Sequence, residues 1–134
     1  YEGCAARVPA TGLFVPYLCP AGYWTIGYGR LVPREHPPIT HGEAREFLKT
    51  DTVRHLRMAI ELSPVLARYP QRFAAITSFV FNLGPGNYRA STLRRCVNAE
   101  DWPGARVQIL RWVRGGGRVL PGLVRRREAE AAML

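Results

Sequence analysis

The sequence contains no apolar run long enough to cross a membrane. Its most apolar stretch, FAAITSFVFNLG, is short and is interrupted by Thr77, Ser78 and Asn82. A membrane-spanning helix needs about 20 mostly apolar residues in succession. The segment TIGYG (25–29) differs in one residue from TVGYG, the filter loop of potassium channels. Because such a filter needs membrane spans around it, a channel is excluded for the residues given.

A cysteine pattern typical of metal sites is also lacking. The three cysteines, Cys4, Cys19 and Cys96, show no CxxC spacing, and no histidine cluster lies near them. We therefore expect no zinc site and no other metal site. Three is an odd number, so at least one thiol is free unless it pairs with another chain.

Internal repeats and low-complexity linkers are absent as well, and residues 1–134 suit a single domain. The composition is basic, with a net charge of +9. A small protein with this charge binds polyanions, which include nucleic acid, anionic lipid and anionic cell-wall polymers. No zinc-finger, RRM or helix-turn-helix signature is present, so a nucleic-acid partner is not expected.

Residues 1–38 carry the pattern of a small β-hairpin. The extended runs LFVPYL and YWTIGYG are separated by the turn-forming CPAG. Pro16 marks the first run as an edge strand or a break. Alternation along the second run puts Trp24, Ile26 and Tyr28 on one face and Thr25, Gly27 and Gly29 on the other. The two glycines leave room beside Thr25 for a ligand or for close packing.

The remainder of the chain is expected to be mainly helical. Thr40 and Glu43 form a capping box at the start of a helix over 40–61. The segment PQRFAAITSFVFNL, which Pro70 opens and Gly84 closes, is apolar nearly all round and predicts a central buried helix. Further helices are predicted after the N-cap Ser63, over ASTLRRCV, after Asp101 and over PGLVRRREAEAAML, with RGGGR as a loop. The predicted fold class is therefore α+β, mainly helical.

Among the 10 acidic residues, Glu2 has the most distinctive setting. It is followed by Gly3, which is typical of a helix end, so its carboxylate is expected at a helix–loop junction before the hairpin. Glu46 and Asp51 lie on helix faces that are expected to be solvated, and Glu35 lies in a proline-rich loop. A catalytic carboxylate and an ordinary surface carboxylate both remain open for Glu2 on this evidence alone.

Several motifs in one order resemble the phage-type lysozymes, the endolysins of glycoside hydrolase family 24. They are EG, YLCPAGYWTIGYG, ITHGEAREFL, FAAITSFVFNLG, STLRR and GLVRRREAE, and they extend over essentially the whole chain. The resemblance implies a small β-containing lobe (1–38), a connecting helix (39–61) and a helical lobe (62–134) flanking a cleft. It also implies hydrolysis of the β-1,4 bond between N-acetylmuramic acid and N-acetylglucosamine in peptidoglycan.

The resemblance further implies the site residues. The family's catalytic pattern is a glutamate before glycine, then an aspartate or cysteine, then a threonine six positions later. It corresponds here to Glu2 as general acid, Cys19 where many relatives carry aspartate, and Thr25 as the residue that positions water. By position in the family, the residues expected to line the cleft are Leu31, Phe81, Asn82 and Thr92, with Arg125 and Arg126 near the acid. No cofactor or metal is implied.

Two departures from the family pattern bear on Cys19. The segment GCAARVPATGLFVPYL between Glu2 and Cys19 is about twice the family's usual length, and Arg30 follows GYG where the family often has histidine. An ordinary thiol is mostly neutral at pH 7. Cys19 can therefore replace a carboxylate electrostatically only beside a basic neighbour such as Arg30. A packed cysteine without a catalytic role is the alternative.

The resemblance leaves two functions open: a lytic muramidase, and a wall-binding lysozyme homologue with weak or no activity. The second is favoured by the long segment before Cys19 and by the cysteine itself. An endolysin would be made in the cytoplasm of the infected bacterium and act in the periplasm, reached with a holin or through an N-terminal anchor. The chain given begins with Tyr1 and shows no signal peptide, so an upstream leader remains open. We expect a monomer whose partner is peptidoglycan.

Overall fold

The computed structural model describes residues 12–19 and 22–134. The elements in chain order are β1 (Tyr17–Leu18), β2 (Trp24–Ile26), β3 (Arg30–Leu31), α1 (His41–Leu62), a short 3-10 helix (Pro64–Arg68), α2 (Pro70–Leu83), α3 (Pro85–Ala90), α4 (Thr92–Asn98), α5 (Trp102–Ile109), β4 (Arg114–Gly115), β5 (Arg118–Val119) and α6 (Pro121–Ala132). Helices dominate, with two small antiparallel sheets, so the predicted α+β, mainly helical class is confirmed.

The chain divides into two compact units. The first contains the described residues up to Thr52 together with Gly115–Arg118, and the second contains Val53–Arg114 and Val119–Leu134. The boundary therefore falls within α1. The predicted single domain, with lobes at 1–38 and 62–134 and a connecting helix over 39–61, stays a prediction.

The first unit is built on an antiparallel sheet with the order β1-β2-β3. Tyr17 pairs with Thr25 and Leu18 with Trp24, which confirms the predicted hairpin. Proline lacks the N–H that a ladder needs, and the edge strand β1 begins directly after Pro16. The third strand, β3, was not predicted, and it pairs Leu31 with Thr25.

The second predicted run does not continue as a strand beyond Ile26. Gly27 and Gly29 have φ values of 61° and 111°, and the chain turns there from β2 into β3. A Cβ added to Gly27 would lie 3.2 Å from the Cβ of Ala44 in α1. The expected alternation of Gly27 and Gly29 on one strand face is therefore wrong. Gly27 allows close packing against α1.

The hairpin is fastened to α1 through a small core. Phe14 and Ile39 exchange backbone hydrogen bonds of 2.8 Å and 2.9 Å, and both side chains are buried. The predicted capping box is confirmed: the N–H of Thr40 donates to Glu43 and the N–H of Glu43 donates to Thr40, each at 3.1 Å. The buried members of this core are Phe14, Ile26, Ile39 and Ala44, with Tyr28, Val32 and Phe47 packed alongside.

The second unit is organised around α2, as its apolar pattern predicted. This helix contacts α3, α6 and the 3-10 helix, and it ends at Gly84, whose φ is 88°. Left-handed backbone of this kind favours glycine, which explains the stop. The largest fully buried apolar side chains around α2 are Tyr88, Phe79, Leu66, Ile76, Leu93 and Ile109.

Local details of the chain after α1 differ from the prediction at three points. The short helix α3 was not predicted, and the segment RGGGR lies in the β4–β5 hairpin instead of an irregular loop. Ser63 makes no side-chain capping bond, because its hydroxyl pairs with the hydroxyl of Tyr88. The predicted cap Asp101 does accept a hydrogen bond from the N–H of Gly104. Among the helices of residues 41–132, none is long and apolar enough to cross a membrane.

Candidate active site

Two of the three predicted catalytic residues are tied to the backbone of Tyr23. The N–H of Cys19 donates to the carbonyl of Tyr23 at 2.9 Å, and the N–H of Tyr23 donates to Sγ of Cys19 at 3.4 Å. The hydroxyl of Thr25 donates to the same Tyr23 carbonyl at 3.1 Å. These three hydrogen bonds link Cys19 and Thr25 to the same residue, so the backbone of Tyr23 sets the positions of both side chains.

Both side chains are nearly enclosed. Thr25 is 2% exposed and Cys19 is 9% exposed. Because the Thr25 hydroxyl uses its proton on Tyr23, its oxygen lone pairs are what it can offer to water. A threonine held in this way can accept a hydrogen bond from one water and so fix the orientation of that water.

Glu2, the predicted general acid, lies outside the described residues, as does Cys4. The other predicted residue of the first unit is Leu31, which pairs with Thr25 across the β2–β3 ladder and has a side chain that is 67% exposed. The sheet therefore brings Cys19, Thr25 and Leu31 together, while the place of Glu2 stays a prediction.

Arg30 has a different neighbour from the one that the sequence suggested. Its guanidinium donates two hydrogen bonds to the carboxylate of Asp51, at 3.1 Å and 3.0 Å, and lies 4.0 Å from the ring centroid of Phe47. Asp51 is only 4% exposed, so the prediction that it lies on a solvated helix face is wrong. The positive charge of Arg30 is offset by the carboxylate of Asp51. The hydrogen bond that Sγ of Cys19 accepts comes from the N–H of Tyr23 and not from Arg30.

Two of the predicted glycan-contacting residues are adjacent at the end of α2. Phe81 is half-buried, with its ring centroid 5.0 Å from that of His55. His55 is thus packed against Phe81. The Oδ1 atom of Asn82 accepts a hydrogen bond from Nη2 of Arg127. Thr92 begins a different helix, α4, where its exposed hydroxyl accepts a hydrogen bond of 3.2 Å from Arg95.

A buried polar network on α6 was missed from the sequence. Arg127 is fully buried and Glu130 is 3% exposed. The Oε2 atom of Glu130 accepts hydrogen bonds from the hydroxyl of Ser78 and from Nε of Arg126. Nη2 of Arg126 also donates to the carbonyl and the hydroxyl of Ser78, at 3.1 Å and 3.2 Å. The network joins α6 to α2.

Burial lowers the pKa of Arg127 to about 10, although the nearby carboxylate of Glu130 opposes this shift. The guanidinium therefore stays protonated at neutral pH. A signal for its burial was present in the sequence, because Leu123, Arg127, Glu130 and Ala131 recur with helical spacing on the buried face of α6. Of the two arginines predicted near the acid, Arg126 lies in this network and Arg125 is exposed.

The described residues contain no group of three or more His, Cys, Asp or Glu side chains that could hold a metal ion. Cys19 and Cys96 are free thiols.

Comparisons with known proteins agree on one family. The sequence model described as phage lysozyme matches residues 12–130. The chain is 34% identical over 122 residues to the endolysin of Acyrthosiphon pisum secondary endosymbiont phage 1, covering 87% of this chain and 83% of that protein. It is 34% identical over 121 residues to the SAR-endolysin of Escherichia phage Mu, covering 90% and 70%.

A solved structure supports the same assignment. The muramidase domain of SpmX from Asticaccaulis excentricus superposes with a TM-score of 0.70 at 28% identity, over 89% of this chain and 84% of that domain. The match to the family model begins before β1 and ends within α6, so it includes Cys19, Thr25 and the buried network. This protein therefore belongs to the phage lysozyme family and is a lysozyme-type glycosidase.

Proposed function

We propose that this protein is a peptidoglycan muramidase that lyses the bacterial host at the end of phage infection. Its substrate bond is the β-1,4 linkage between N-acetylmuramic acid and N-acetylglucosamine. The observation that carries the proposal is the attachment of Cys19 and Thr25 to the backbone of Tyr23, in a chain that belongs to the phage lysozyme family. The site offers an oriented hydroxyl and a thiol where the family pattern expects catalysis.

Thr25 acts on the water that attacks the sugar. Its hydroxyl proton is committed to Tyr23, so the water donates a hydrogen bond to Oγ1 and keeps a lone pair for the anomeric carbon. The small exposure of Thr25 favours one held water over bulk solvent. The leaving oxygen on the other side of the bond needs a proton donor.

Glu2 is that donor in our proposal. A general acid must be protonated near neutral pH, which requires a carboxyl group that is enclosed and not already paired with a cation. Among the described carboxylates, Asp51 and Glu130 are buried in ion pairs. Those that cap helices or lie exposed are Glu35, Glu43, Glu46, Glu61, Glu100, Asp101 and Glu128. None of these described carboxylates is both enclosed and free of a pairing cation.

Cys19 assists Thr25 as a weak hydrogen-bond partner of the same water. Its sulfur already accepts the N–H of Tyr23, which points its S–H and remaining lone pair elsewhere. Attack by sulfur on the sugar is not part of the proposal, because a stable thioglycoside would stop turnover. The role of Cys19 is therefore that of the aspartate found in many relatives, without its full charge.

The glycan is bound by Leu31, Phe81, Asn82 and Thr92 in this proposal. Leu31 and Phe81 offer apolar surface for the sugar rings, whereas Asn82 and Thr92 offer polar groups for hydroxyl and acetamido groups. The net charge of +9 adds a general attraction to anionic wall polymers. The enzyme acts as a monomer in the periplasm after synthesis in the infected cytoplasm. Several relatives, including that of phage Mu, are named SAR-endolysins.

Product analysis of purified peptidoglycan tests the proposal. A muramidase leaves N-acetylmuramic acid at each new reducing end, which borohydride converts to a distinctive alditol. We expect this alditol to accumulate while the turbidity of outer-membrane-permeabilised Gram-negative cells falls. A reducing-end N-acetylglucosamine or a 1,6-anhydro sugar would assign a different cleavage. Protein that sediments with the wall and releases nothing would make this chain a wall-binding homologue.

A further inference from the structure

The segment from Trp102 to Arg127 carries charge of one sign only. It contains no aspartate or glutamate, and its seven arginines are Arg106, Arg111, Arg114, Arg118, Arg125, Arg126 and Arg127. Arg126 and Arg127 belong to the buried network that joins α6 to α2. Arg106 is half-buried and the remaining four are exposed, so most of this charge lies at the surface.

The exposed side of α5 places two of these arginines beside apolar side chains. Val107 is 56% exposed and Leu110 is 43% exposed, whereas the core-facing residues of the helix are fully buried. Residues three and four apart are neighbours on a helix surface. Leu110 therefore lies next to Arg106 and Val107, and Arg111 lies next to Val107. We call these four residues the α5 outer face.

The positive charge of the α5 outer face is not offset by a carboxylate. Neither Arg106 nor Arg111 forms an ion pair within residues 12–19 and 22–134. Glu100 and Asp101 are the acidic residues that directly precede α5. Glu100 accepts a hydrogen bond from Tyr69, and Asp101 caps the helix by accepting the N–H of Gly104. The face thus offers uncompensated cations together with exposed aliphatic side chains.

We propose that the α5 outer face binds the surface of an anionic phospholipid bilayer. Its arginines pair with the headgroup phosphates, and Val107 and Leu110 enter the boundary between headgroups and acyl chains. A soluble polyanion would match the arginines but would leave both aliphatic side chains in water, so the combination favours lipid. The inference goes beyond the proposed function and does not depend on it, because binding to a bilayer breaks no bond.

Sedimentation with vesicles tests the proposal on the whole chain. One set of vesicles contains equal parts of phosphatidylglycerol and phosphatidylcholine, and the other contains phosphatidylcholine alone. We expect binding to the anionic vesicles to be about tenfold tighter or more, because each arginine near an anionic surface adds about fivefold. Added salt should weaken this binding. Equal affinity for the two kinds of vesicle would overturn the proposal.

A matched pair of double variants separates the α5 outer face from the net charge. Val107→Ser/Arg111→Gln changes this face, and Val53→Ser/Arg57→Gln changes an exposed valine and an exposed arginine of α1, in the same unit and with the same spacing. Both lower the net charge by one. We expect the first to bind anionic vesicles about tenfold more weakly and the second to bind them like the wild type. Equal losses would assign the binding to net charge and overturn the proposal.

A variant with unchanged charge separates lipid from other polyanions. Val107→Ser/Leu110→Ser should bind anionic vesicles about tenfold more weakly, because it removes the apolar contacts, and should bind soluble polyphosphate like the wild type. Since both side chains are exposed, its melting temperature should match that of the wild type. Vesicle binding equal to that of the wild type would make the face a general polyanion site and overturn the assignment to lipid.

Discussion

The guanidinium of Arg30, at the start of β3, is bound through two hydrogen bonds to the carboxylate of Asp51, in the middle of α1. The pair links the sheet to the helix within the first unit. Arg30 occupies the position where the family often has histidine. Because arginine stays charged at every physiological pH, this ion pair persists where a histidine pair would be lost.

Arg30→His should make stability depend on pH. A histidine beside Asp51 has its folded pKa raised above the unfolded value of about 6.5. Its stabilising effect is then complete below pH 6.5 and disappears as the pH rises through the folded pKa. We expect the free energy of unfolding of this variant to fall by about 1 kcal/mol more than that of the wild type between pH 5 and pH 8.

The control for this change is Arg34→His. Arg34 is exposed, lies 5.4 Å from the ring centroid of Trp24, and has no carboxylate partner among the described residues. Its histidine variant should follow the wild type across the pH range in urea unfolding. A flat profile for Arg30→His would mean that the ion pair does not stabilise the fold.

Tyr88 should be the main cause of the loss of folding stability at alkaline pH. It is fully buried with its hydroxyl 2.6 Å from that of Ser63, and burial raises its pKa from 10.0 to about 12. The unfolded chain therefore loses this proton first as the pH rises. The stability from Tyr88 is present below pH 10 and is lost between pH 10 and pH 12, by about 1.4 kcal/mol at pH 11.

Tyr88→Phe removes this loss, although Ser63 then lacks its partner and the variant starts from a lower stability. Urea unfolding at pH 9 and pH 11 should show a smaller decline for Tyr88→Phe than for the wild type. The lowered pKa of Arg127 acts in the opposite direction above pH 10, but it is common to both proteins and cancels. Tyr23→Phe, at a tyrosine that is 60% exposed, should decline like the wild type. Identical declines in all three proteins would contradict the prediction.

Glu100 has a strained backbone conformation, and a hydrogen bond to its side chain offsets part of the cost of that strain. Its φ is 55°, at the end of α4 where glycine is favoured, and its carboxylate accepts a hydrogen bond from the hydroxyl of Tyr69. A left-handed conformation costs a non-glycine residue about 1 kcal/mol. In a Tyr69→Phe background, Glu100→Gly should therefore raise the free energy of unfolding by about 1 kcal/mol.

In the wild-type background the gain from Glu100→Gly should be smaller, because the change also removes the bond to Tyr69. Both backgrounds are compared by urea unfolding. Equal gains would show that the hydrogen bond contributes nothing, and a loss in the Tyr69→Phe background would contradict the strain.

The relative lysis rates of two variants, Cys19→Asp and Cys19→Ala, distinguish a catalytic role of Cys19 from a packing role. If Cys19 acts on water with Thr25, Cys19→Asp should keep most of the lysis rate, while Cys19→Ala should lose about tenfold. If Cys19 is only packed, its 9% exposure predicts the reverse: alanine tolerated and aspartate destabilising. Lysis rates and melting temperatures of the two folded variants decide the question.

The sequence predicted the parts of the fold that local rules determine. The capping box of Thr40 and Glu43, the stop of α2 at Gly84 and the cap at Asp101 all follow from neighbouring residues, and all three are confirmed. The β1–β2 hairpin was also predictable, since its two runs are close in sequence and a turn-forming segment lies between them.

What the sequence did not predict depends on long-range pairing. Asp51 looked solvated on its helix, because its partner Arg30 is 21 residues away. The burial of Arg127 likewise depends on Asn82 and Phe79 in another helix. Charged residues are usually exposed, so a local pattern favours the solvated alternative until such partners are known. Among the candidate site residues, local pattern placed Cys19 and Thr25 on one hairpin, whereas the role of Glu2 rests on the family pattern.

The most direct test of the account is the rate at which Glu2→Gln releases N-acetylmuramic acid reducing ends from purified peptidoglycan. The amide preserves the shape of the side chain and removes its acidic proton. Because a general acid contributes about 100-fold or more to the rate, we predict a loss of at least that size with an unchanged melting temperature. A folded Glu2→Gln protein that retains most of the wild-type rate would contradict the assignment of Glu2 as the proton donor.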